Sequence, residues 1–204
     1  MYARSTTILG KPGAIDAGIA YVRSEVMPAL TELDGCCGVS MVVDRLNGRT
    51  IVTSSWETME AMGASIAVAA PLRARVGELF AGEPVVDKWE IVMMHREHAI
   101  PGAACCRINW GEAASVDATT ERFKRDVLPL VERADGFCSA SLFVNRLSRR
   151  LCGTVTFDSR AAMAATRELA GERRQTITNM TGMYFTDVGE FDVVLAHLRV
   201  PELV

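Results

Sequence analysis

The sequence has few of the residues from which most catalytic and metal sites are built. Its 204 residues include three histidines and six cysteines, and they contain neither a C-x-x-C pair nor a Cys/His spacing suited to zinc. Glycine-rich phosphate loops and Ser/His/Asp signatures are also missing. These absences exclude the common sequence motifs of zinc proteins, nucleotide-binding proteins and serine hydrolases, and we expect no metal ion and no cofactor.

Long apolar runs and a charge excess are missing as well. No segment approaches 18 uninterrupted apolar residues, so we expect no membrane span. The net charge is -3 and neither half is basic, which argues against nucleic-acid binding and predicts a solvated surface for the doublets Arg149-Arg150 and Arg173-Arg174. Because the first residues do not resemble a signal peptide, we expect a cytoplasmic protein whose cysteines are reduced.

The sequence does contain an internal repeat. Residues 25–62 and 126–163 align without a gap at an offset of 101, and 13 of the 38 pairs are identical. The identical pairs include Pro28/Pro129, Asp34-Gly35/Asp135-Gly136, Cys37/Cys138, Arg45-Leu46/Arg146-Leu147 and Ala61-Met62/Ala162-Met163. A period this long predicts two copies of a small domain rather than a solenoid.

Each copy has the pattern of a β-α-β-β-α-β unit. In the first copy we predict strands at 2–9, 36–44, 49–57 and 85–95, with Asn47-Gly48 as a hairpin turn. A helix is predicted over about 14–33, bent by Pro28, and a second helix from Thr58 that Pro71 kinks or splits. In the second copy the predicted strands are 105–110, 137–145, 151–157 and 190–200.

This order predicts an α+β fold of two ferredoxin-like βαββαβ units. We place the first unit at residues 1–97, a linker at 98–104 and the second unit at 105–204. Both faces of the predicted sheets are apolar, so each sheet needs a cover on the side away from its helices. The simplest arrangement is an internal pseudo-dimer, in which the two units pack sheet against sheet; a further homodimer is compatible with it.

The first copy resembles the antibiotic-biosynthesis-monooxygenase-like domains of the dimeric α+β barrel superfamily. The pattern that carries the resemblance consists of Pro28, Asp34-Gly35, Asp44-Arg45, Gly48-Arg49, Trp56-Glu57 and Glu60-Ala61. The resemblance implies a barrel that most members build from two chains. Members differ in activity, from cofactor-independent oxygenation of aromatic polyketides to haem degradation, so the fold alone does not define a function.

The resemblance also implies a pocket between sheet and helices, with an Asn on the first strand and a Trp at the end of the third. Trp56 matches this Trp in the first unit, and Asn109 matches the Asn in the second. Their equivalents at an offset of 101 are Phe157 and Ile8, so neither unit holds both residues. Trp56 and Asn109 are candidate catalytic residues; the alternatives are a core aromatic for Trp56 and a residue that satisfies local backbone groups for Asn109.

Other candidates follow from their positions. Trp56, Phe157, Met62 and Met163 are candidates for binding an apolar substrate, although methionine in a helix is usually core. The haem-degrading relatives place a histidine ligand on the second helix, and residues 58–80 and 159–180 contain none. His95 and His197 end the last strands at matched positions, where one of them could act as a general base; the alternative is a partly exposed strand-end histidine. The six cysteines are predicted to be small core residues.

Two functions are compatible with these observations. The chain is a cofactor-independent monooxygenase or a binder of a small apolar or aromatic molecule, for which Trp56 and Asn109 are the evidence. Alternatively, it is a non-enzymatic structural or protein-interaction module, which the separation of Trp56 from Asn109 favours. The sequence does not show whether the chain is an enzyme.

Overall fold

The computed structural model describes residues 1–204, with the side chain of Leu198 excepted. It contains the predicted β-α-β-β-α-β order twice. The strands are β1 (Tyr2–Leu9), β2 (Cys36–Asp44), β3 (Arg49–Trp56), β4 (Pro84–Arg96), β5 (Cys105–Glu112), β6 (Phe137–Asn145), β7 (Arg150–Phe157) and β8 (Tyr184–Leu198). The helices are α1 (Ile15–Tyr21), α2 (Met27–Thr31), α3 (Met59–Ala64), α4 (Ile66–Phe80), α5 (Val116–Arg122), α6 (Leu128–Val131), α7 (Arg160–Ala165) and α8 (Arg167–Thr181).

The strands form a closed antiparallel barrel in the order β1-β3-β2-β8-β5-β7-β6-β4, which confirms the predicted α+β barrel fold. The contacts between residues divide the chain into two compact units, residues 1–90 with 192–200 and residues 91–191 with 201–204. The predicted linker at 98–104 consists of bends, turns and coil between β4 and β5. The last strand begins at Tyr184 rather than at the predicted residue 190. The prediction missed its first residues because polar residues such as Thr186 and Asp187 interrupt the apolar pattern.

A proline shapes the first helix of each unit in the same way. The segment Val22–Val26 between α1 and α2 is a π-helical turn, and so is Phe123–Val127 between α5 and α6. Each turn directly precedes the helix that carries Pro28 or Pro129 near its start. Proline has no N–H to donate and its ring crowds the preceding turn, so a local widening of the helix accommodates it. The bend predicted at Pro28 is therefore a π-turn, and it is duplicated.

The second helix of each unit is interrupted by a buried arginine. The prediction that Pro71 splits the helix is wrong: Pro71 lies inside α4, and the break falls at Ser65. The Arg4 guanidinium donates to the Met62 carbonyl and to Ser65 Oγ (2.8 Å), and Ser65 Oγ also donates to the Met62 carbonyl (2.8 Å). These side chains take up the carbonyl that the next helical N–H would otherwise use, so α3 ends there.

The same break occurs in the second unit. The Arg107 guanidinium donates to the Met163 carbonyl (2.9 Å) and to Thr166 Oγ1 (2.9 Å), and Thr166 Oγ1 donates to the Met163 carbonyl (2.8 Å). We call Arg107, Met163 and Thr166 the arginine cap of the second unit. The cap of the first unit is its repeat-equivalent, and both arginines are buried.

Two hairpins are tied to the first helix of their own unit. In the first unit, Arg45 follows β2 and pairs with Asp16 of α1 (2.9 Å). In the second unit, Arg146 pairs with Asp117 of α5 (2.5 Å). Both pairs are largely exposed, so each stabilises the fold by about 0.5 kcal/mol or less. Their position explains why this arginine is identical in the two copies.

The six cysteines are free, and all but the half-buried Cys36 are buried. Burial raises the pKa of Cys37 and of Cys138, and each thiol lies close to the carbonyl of the glycine two residues before it (3.7 and 3.6 Å). The prediction that the cysteines are small core residues is confirmed for the five that are buried. None of the described helices combines the length and the apolar character needed to cross a membrane.

Gly136, which follows the first helix of the second unit, is expected to resist substitution. Its φ is +74°, and a Cβ there would lie 2.5 Å from Asp158 Oδ1 and 2.7 Å from the Cβ of Ala162. Gly136→Ala should therefore lower the free energy of unfolding by about 2 kcal/mol, through the left-handed backbone and the clash together. Urea unfolding of the purified variant measures this loss.

Gly182 offers the matched control. Its φ is +68°, but a Cβ there would meet nothing within 4 Å. Gly182→Ala should cost about 1 kcal/mol, from the backbone conformation alone. Equal losses of unfolding free energy in Gly136→Ala and Gly182→Ala would contradict the assignment of part of the Gly136→Ala loss to a steric clash at Ala162.

Candidate ligand-binding site

The second unit contains a partly open cavity of about 90 Å³ between its sheet and its helices. Strands β5, β6 and β7 form its floor, and α5, the following π-turn, α6 and α8 form its walls. The lining is mainly apolar, from Phe123, Val127, Val131, Ala134, Leu142, Leu151, Val155, Phe157, Ala170, Ile177, Met183 and Phe185. Six polar side chains complete it, those of Arg107, Asn109, Thr119, Thr166, Arg173 and Arg174, and Gly153 also lines it.

Gly153 provides the room in the floor of this cavity. It lies on the central strand β7, opposite Asn109 of β5 and Leu142 of β6. A Cβ at Gly153 would point toward Leu142 and Phe123, at 3.7 and 3.8 Å. The repeat-equivalent residue in the first unit is Val52, and the equivalent cavity there measures about 40 Å³. The valine side chain occupies the space that is open in the second unit.

The polar part of the cavity is cationic. Arg107, Arg173 and Arg174 line it, and the described lining contains no Asp or Glu. Arg174 donates a long hydrogen bond to Asn109 Oδ1 (3.4 Å). Burial lowers the pKa of Arg173. Burial and then the neighbouring Arg107 lower the pKa of Arg174, although the charge of Glu190 opposes this. The guanidinium groups are therefore partly desolvated at the surface of an apolar cavity.

Glu190 of β8 balances one of these charges. Its Oε1 accepts hydrogen bonds from Arg107 Nε (3.1 Å) and Nη2 (2.8 Å), and its Oε2 accepts one from Arg167 (2.6 Å). The hydrogen bond from Arg167 and then the contacts with Arg107 hold the pKa of the Glu190 carboxyl below its usual value, although partial burial opposes this. Glu190 thus fixes Arg107 in the arginine cap at the edge of the cavity.

Acid should remove the contribution of Glu190 to stability. Because its pKa is lowered in the folded state, its ionised form stabilises the fold above the unfolded pKa of about 4.3, and this contribution is lost as the pH falls through the folded pKa. Glu190→Gln should lower the free energy of unfolding by about 1–2 kcal/mol at pH 7. Urea unfolding at pH 7, 5, 4 and 3 should show this difference shrinking below pH 4.3.

The exposed Glu172 of α8 provides the control for that series. Glu172→Gln should change the free energy of unfolding by about 0.5 kcal/mol or less at each pH. If the loss of unfolding free energy in Glu190→Gln stayed constant from pH 7 to pH 3, this would contradict an ionised Glu190 paired with Arg107 and Arg167.

The structure places two of the predicted site residues in the cavity. Asn109 and Phe157 both line it. Trp56 lies in the first unit, fully buried, and its indole N–H donates to Ser54 Oγ (3.0 Å). The equivalent of Asn109 is Thr6 and not Ile8, because Thr6 pairs with Val52 as Asn109 pairs with Gly153. The catalytic roles of Trp56 and Asn109 stay predictions.

The two predicted methionines are core residues, and their backbone carbonyls accept hydrogen bonds from buried arginines. Met62 and Met163 are buried, at 2% and 0% exposure. Their carbonyl oxygens accept from the buried Arg4 and Arg107, as described for the two arginine caps. Their predicted role in substrate binding stays a prediction, as does that of Trp56.

The two matched histidines lie in different units. His95 belongs to the second unit, where its Nε2 lies 3.1 Å from Glu132 and its Nδ1 lies 2.5 Å from Glu202. Its ring also stacks on Phe137, with 6.1 Å between centroids. His197 belongs to the first unit and lies opposite Val39 of β2. His95 thus holds the C-terminal segment, and the role of either histidine as a general base stays a prediction.

Sequence reasoning missed Gly153, Arg107 and Arg173. A glycine inside a strand pattern signals a close approach or an opening, and Gly153 against Val52 was such a signal. The prediction of a solvated surface is wrong for Arg173-Arg174, because both side chains are half-buried and line the cavity. Among the described residues, no group of three or more His, Cys, Asp or Glu could hold a metal ion.

Comparison with solved structures shows the fold. A candidate monooxygenase from Fusobacterium nucleatum superposes with a TM-score of 0.70, at 8% identity, with 95% of this chain and 91% of that chain covered. An anthrone oxidase-like protein gives a TM-score of 0.65 at 10% identity, with 96% and 91% covered. A heme-degrading enzyme from Listeria monocytogenes gives 0.54 at 8% identity, with 94% and 99% covered. The fold is that of the antibiotic-biosynthesis-monooxygenase-like α+β barrels.

Sequence comparison identifies much nearer relatives. No family model matches the sequence. Uncharacterized protein Rv2557 of Mycobacterium tuberculosis is 50% identical over 206 residues, which cover all of this chain and 92% of the relative. Uncharacterized protein Rv2558 of the same organism is 48% identical over 207 residues, which cover all of this chain and 88% of the relative. The chain belongs to the family of these two mycobacterial proteins.

Proposed function

We propose that the second unit binds a small, mainly apolar molecule in the cavity between β5–β7 and the helices. The observation that carries this proposal is the opening at Gly153, which is lined by apolar side chains and by a few convergent polar groups. Cavities of this composition are the usual form of small-molecule sites. Phe123 and Phe157 in the lining favour a ligand with a flat aromatic part.

The names of proteins that share this fold are consistent with chemistry on small molecules. Monooxygenase, anthrone oxidase-like and heme-degrading proteins share this fold. Cofactor-independent oxygenation of a bound aromatic molecule is the enzymatic form of the proposal, and Asn109, which lines the cavity, is the residue proposed to contact such a molecule. Simple binding is its non-enzymatic form.

The first unit is proposed to serve as a structural partner. Its equivalent cavity is about 40 Å³, and Val52 and Leu72 are among the side chains that narrow it. This difference between copies favours one ligand per chain. The alternative of a structural or protein-interaction module therefore applies to the first unit rather than to both.

Two measurements test the proposal. Native mass spectrometry of the purified chain should detect a retained small molecule, or calorimetric titration with the uncharged aromatic probe 2-naphthamide should show saturable binding of one molecule per chain. Oxygen uptake with polycyclic phenols then separates an oxygenase from a binder. A chain that retains no molecule and gives no saturable heat with 2-naphthamide or with its carboxylate counterpart 2-naphthoate would overturn the proposal.

A further inference from the structure

We infer that the ligand of the second-unit cavity carries a carboxylate, which Arg173 and Arg174 bind while the rest of the ligand occupies the apolar part. This inference rests on the proposed function and adds the chemical class of the ligand. It follows from the charge of the lining, from the partners of the arginines and from a comparison of the two copies of the repeat.

The protein balances the charge of the cavity only in part. Arg107, Arg173 and Arg174 line it, and no carboxylate occurs in the described lining. Glu190 already accepts from Arg107 and Arg167. Arg173 and Arg174 form no ion pair with a carboxylate in the part of the chain that the structure describes. Glu190 acts on Arg174 only at longer range, so both guanidinium groups can pair with a carboxylate from outside the chain.

These two arginines are also partly removed from water. Both side chains are half-buried, and burial lowers the pKa of each. Desolvation of a charge is unfavourable unless a counter-charge offsets it. A carboxylate offers two oxygens that match the planar donor pattern of a guanidinium, so it is the group that best fits the site. An uncharged ligand would leave Arg173 without a counter-charge and Arg174 with only the longer-range charge of Glu190.

The repeat shows that this charge belongs to the second unit. Arg174 has an arginine equivalent in the first unit, Arg73, but the equivalent of Arg173 is Leu72. The second-unit cavity thus has a glycine, Gly153, where the first unit has Val52, and it also has one more arginine. One difference provides space and the other provides positive charge, and both adapt the second unit to a ligand that is apolar and anionic.

The test compares two probes that differ in charge and hardly in shape, 2-naphthoate and 2-naphthamide. Calorimetric titration of the full chain should give a dissociation constant for 2-naphthoate about tenfold lower than for 2-naphthamide. Arg173→Gln and Arg174→Gln should each weaken 2-naphthoate binding by about tenfold and leave 2-naphthamide binding within about twofold. Raising the ionic strength should weaken 2-naphthoate binding in the same selective way.

Arg73→Gln is the matched control, because Arg73 is the first-unit equivalent of Arg174. It should leave the binding of both probes unchanged within about twofold. Equal affinity of the wild-type chain for the two probes would overturn the inference and leave the proposed function standing. An equal loss of both probes in Arg173→Gln, with an unchanged unfolding midpoint, would also overturn it. Failure of both probes to bind the wild-type chain would instead count against the proposed function.

Discussion

Gly153→Val is expected to weaken the binding of 2-naphthamide about tenfold or more, while the free energy of unfolding stays the same or rises by about 1 kcal/mol. The new side chain would point into the cavity, where its Cβ meets Leu142 and Phe123 at ordinary contact distances of 3.7 and 3.8 Å. Valine also suits a central strand better than glycine does. Binding should therefore be lost because the cavity is filled and not because the protein unfolds. Calorimetric titration and urea unfolding of the same preparation would show this.

A graded series makes this prediction sharper. Gly153→Ala fills less of the cavity and should have an intermediate effect on the affinity for 2-naphthamide. Val52→Ala in the first unit is the matched control: it should lower the free energy of unfolding by about 1–2 kcal/mol and leave the affinity unchanged. Wild-type affinity in Gly153→Val would mean that the probe binds elsewhere.

Arg107→Met is expected to lower the free energy of unfolding by about 4 kcal/mol. The Arg107 side chain is 5% exposed, and it donates to the Met163 carbonyl, to Thr166 Oγ1 and to Glu190. Methionine fills similar space but donates no hydrogen bond, so the Glu190 carboxylate loses one of its two arginine partners. Urea unfolding at pH 7 measures the loss.

Arg4→Met provides the comparison in the first unit. Arg4 makes the equivalent hydrogen bonds to Met62 and Ser65, and on the adjacent strand it lies opposite Lys88. Its loss should cost about 2 kcal/mol, because no ion pair of the kind formed by Glu190 is described for it. A double-mutant cycle of Arg107→Met with Glu190→Gln isolates the ion pair. Equal losses for Arg4→Met and Arg107→Met would contradict the importance assigned to Glu190.

Much of the fold could be predicted because local patterns and the repeat agree. The alternation of apolar residues and the turn at Asn47-Gly48 define β2 and β3, and β1, β2 and β6 have the predicted limits. The helix break could not be predicted in this way. It depends on Arg4, which is 58 residues from Met62 in sequence, and local propensity points to Pro71 instead.

The sequence predicted the parts of the site that are formed by side chains of recognisable type. It did not predict the part that is formed by the lack of a side chain. Asn109 and Phe157 were identified through the family resemblance, and both line the cavity. The cavity itself depends on the lack of a side chain at Gly153 and on the direction in which α8 presents Arg173, and neither follows from composition. The connection between β1 and its helix also differs in length from that after β5, so the constant offset of 101 assigned the wrong partner to Asn109.

The division of the strands between the units affects the order in which the protein is completed during its synthesis. The first unit includes residues 192–200, and Asp192–Leu198 lie in the strand that pairs with β2. Until the ribosome has released these residues, the edge of β2 lacks this partner, and an open strand edge promotes association with other chains. The unit translated first is therefore incomplete until nearly the whole chain has been synthesised. A truncation after Phe191 would damage the N-terminal unit, although the missing residues are distant from it in the gene.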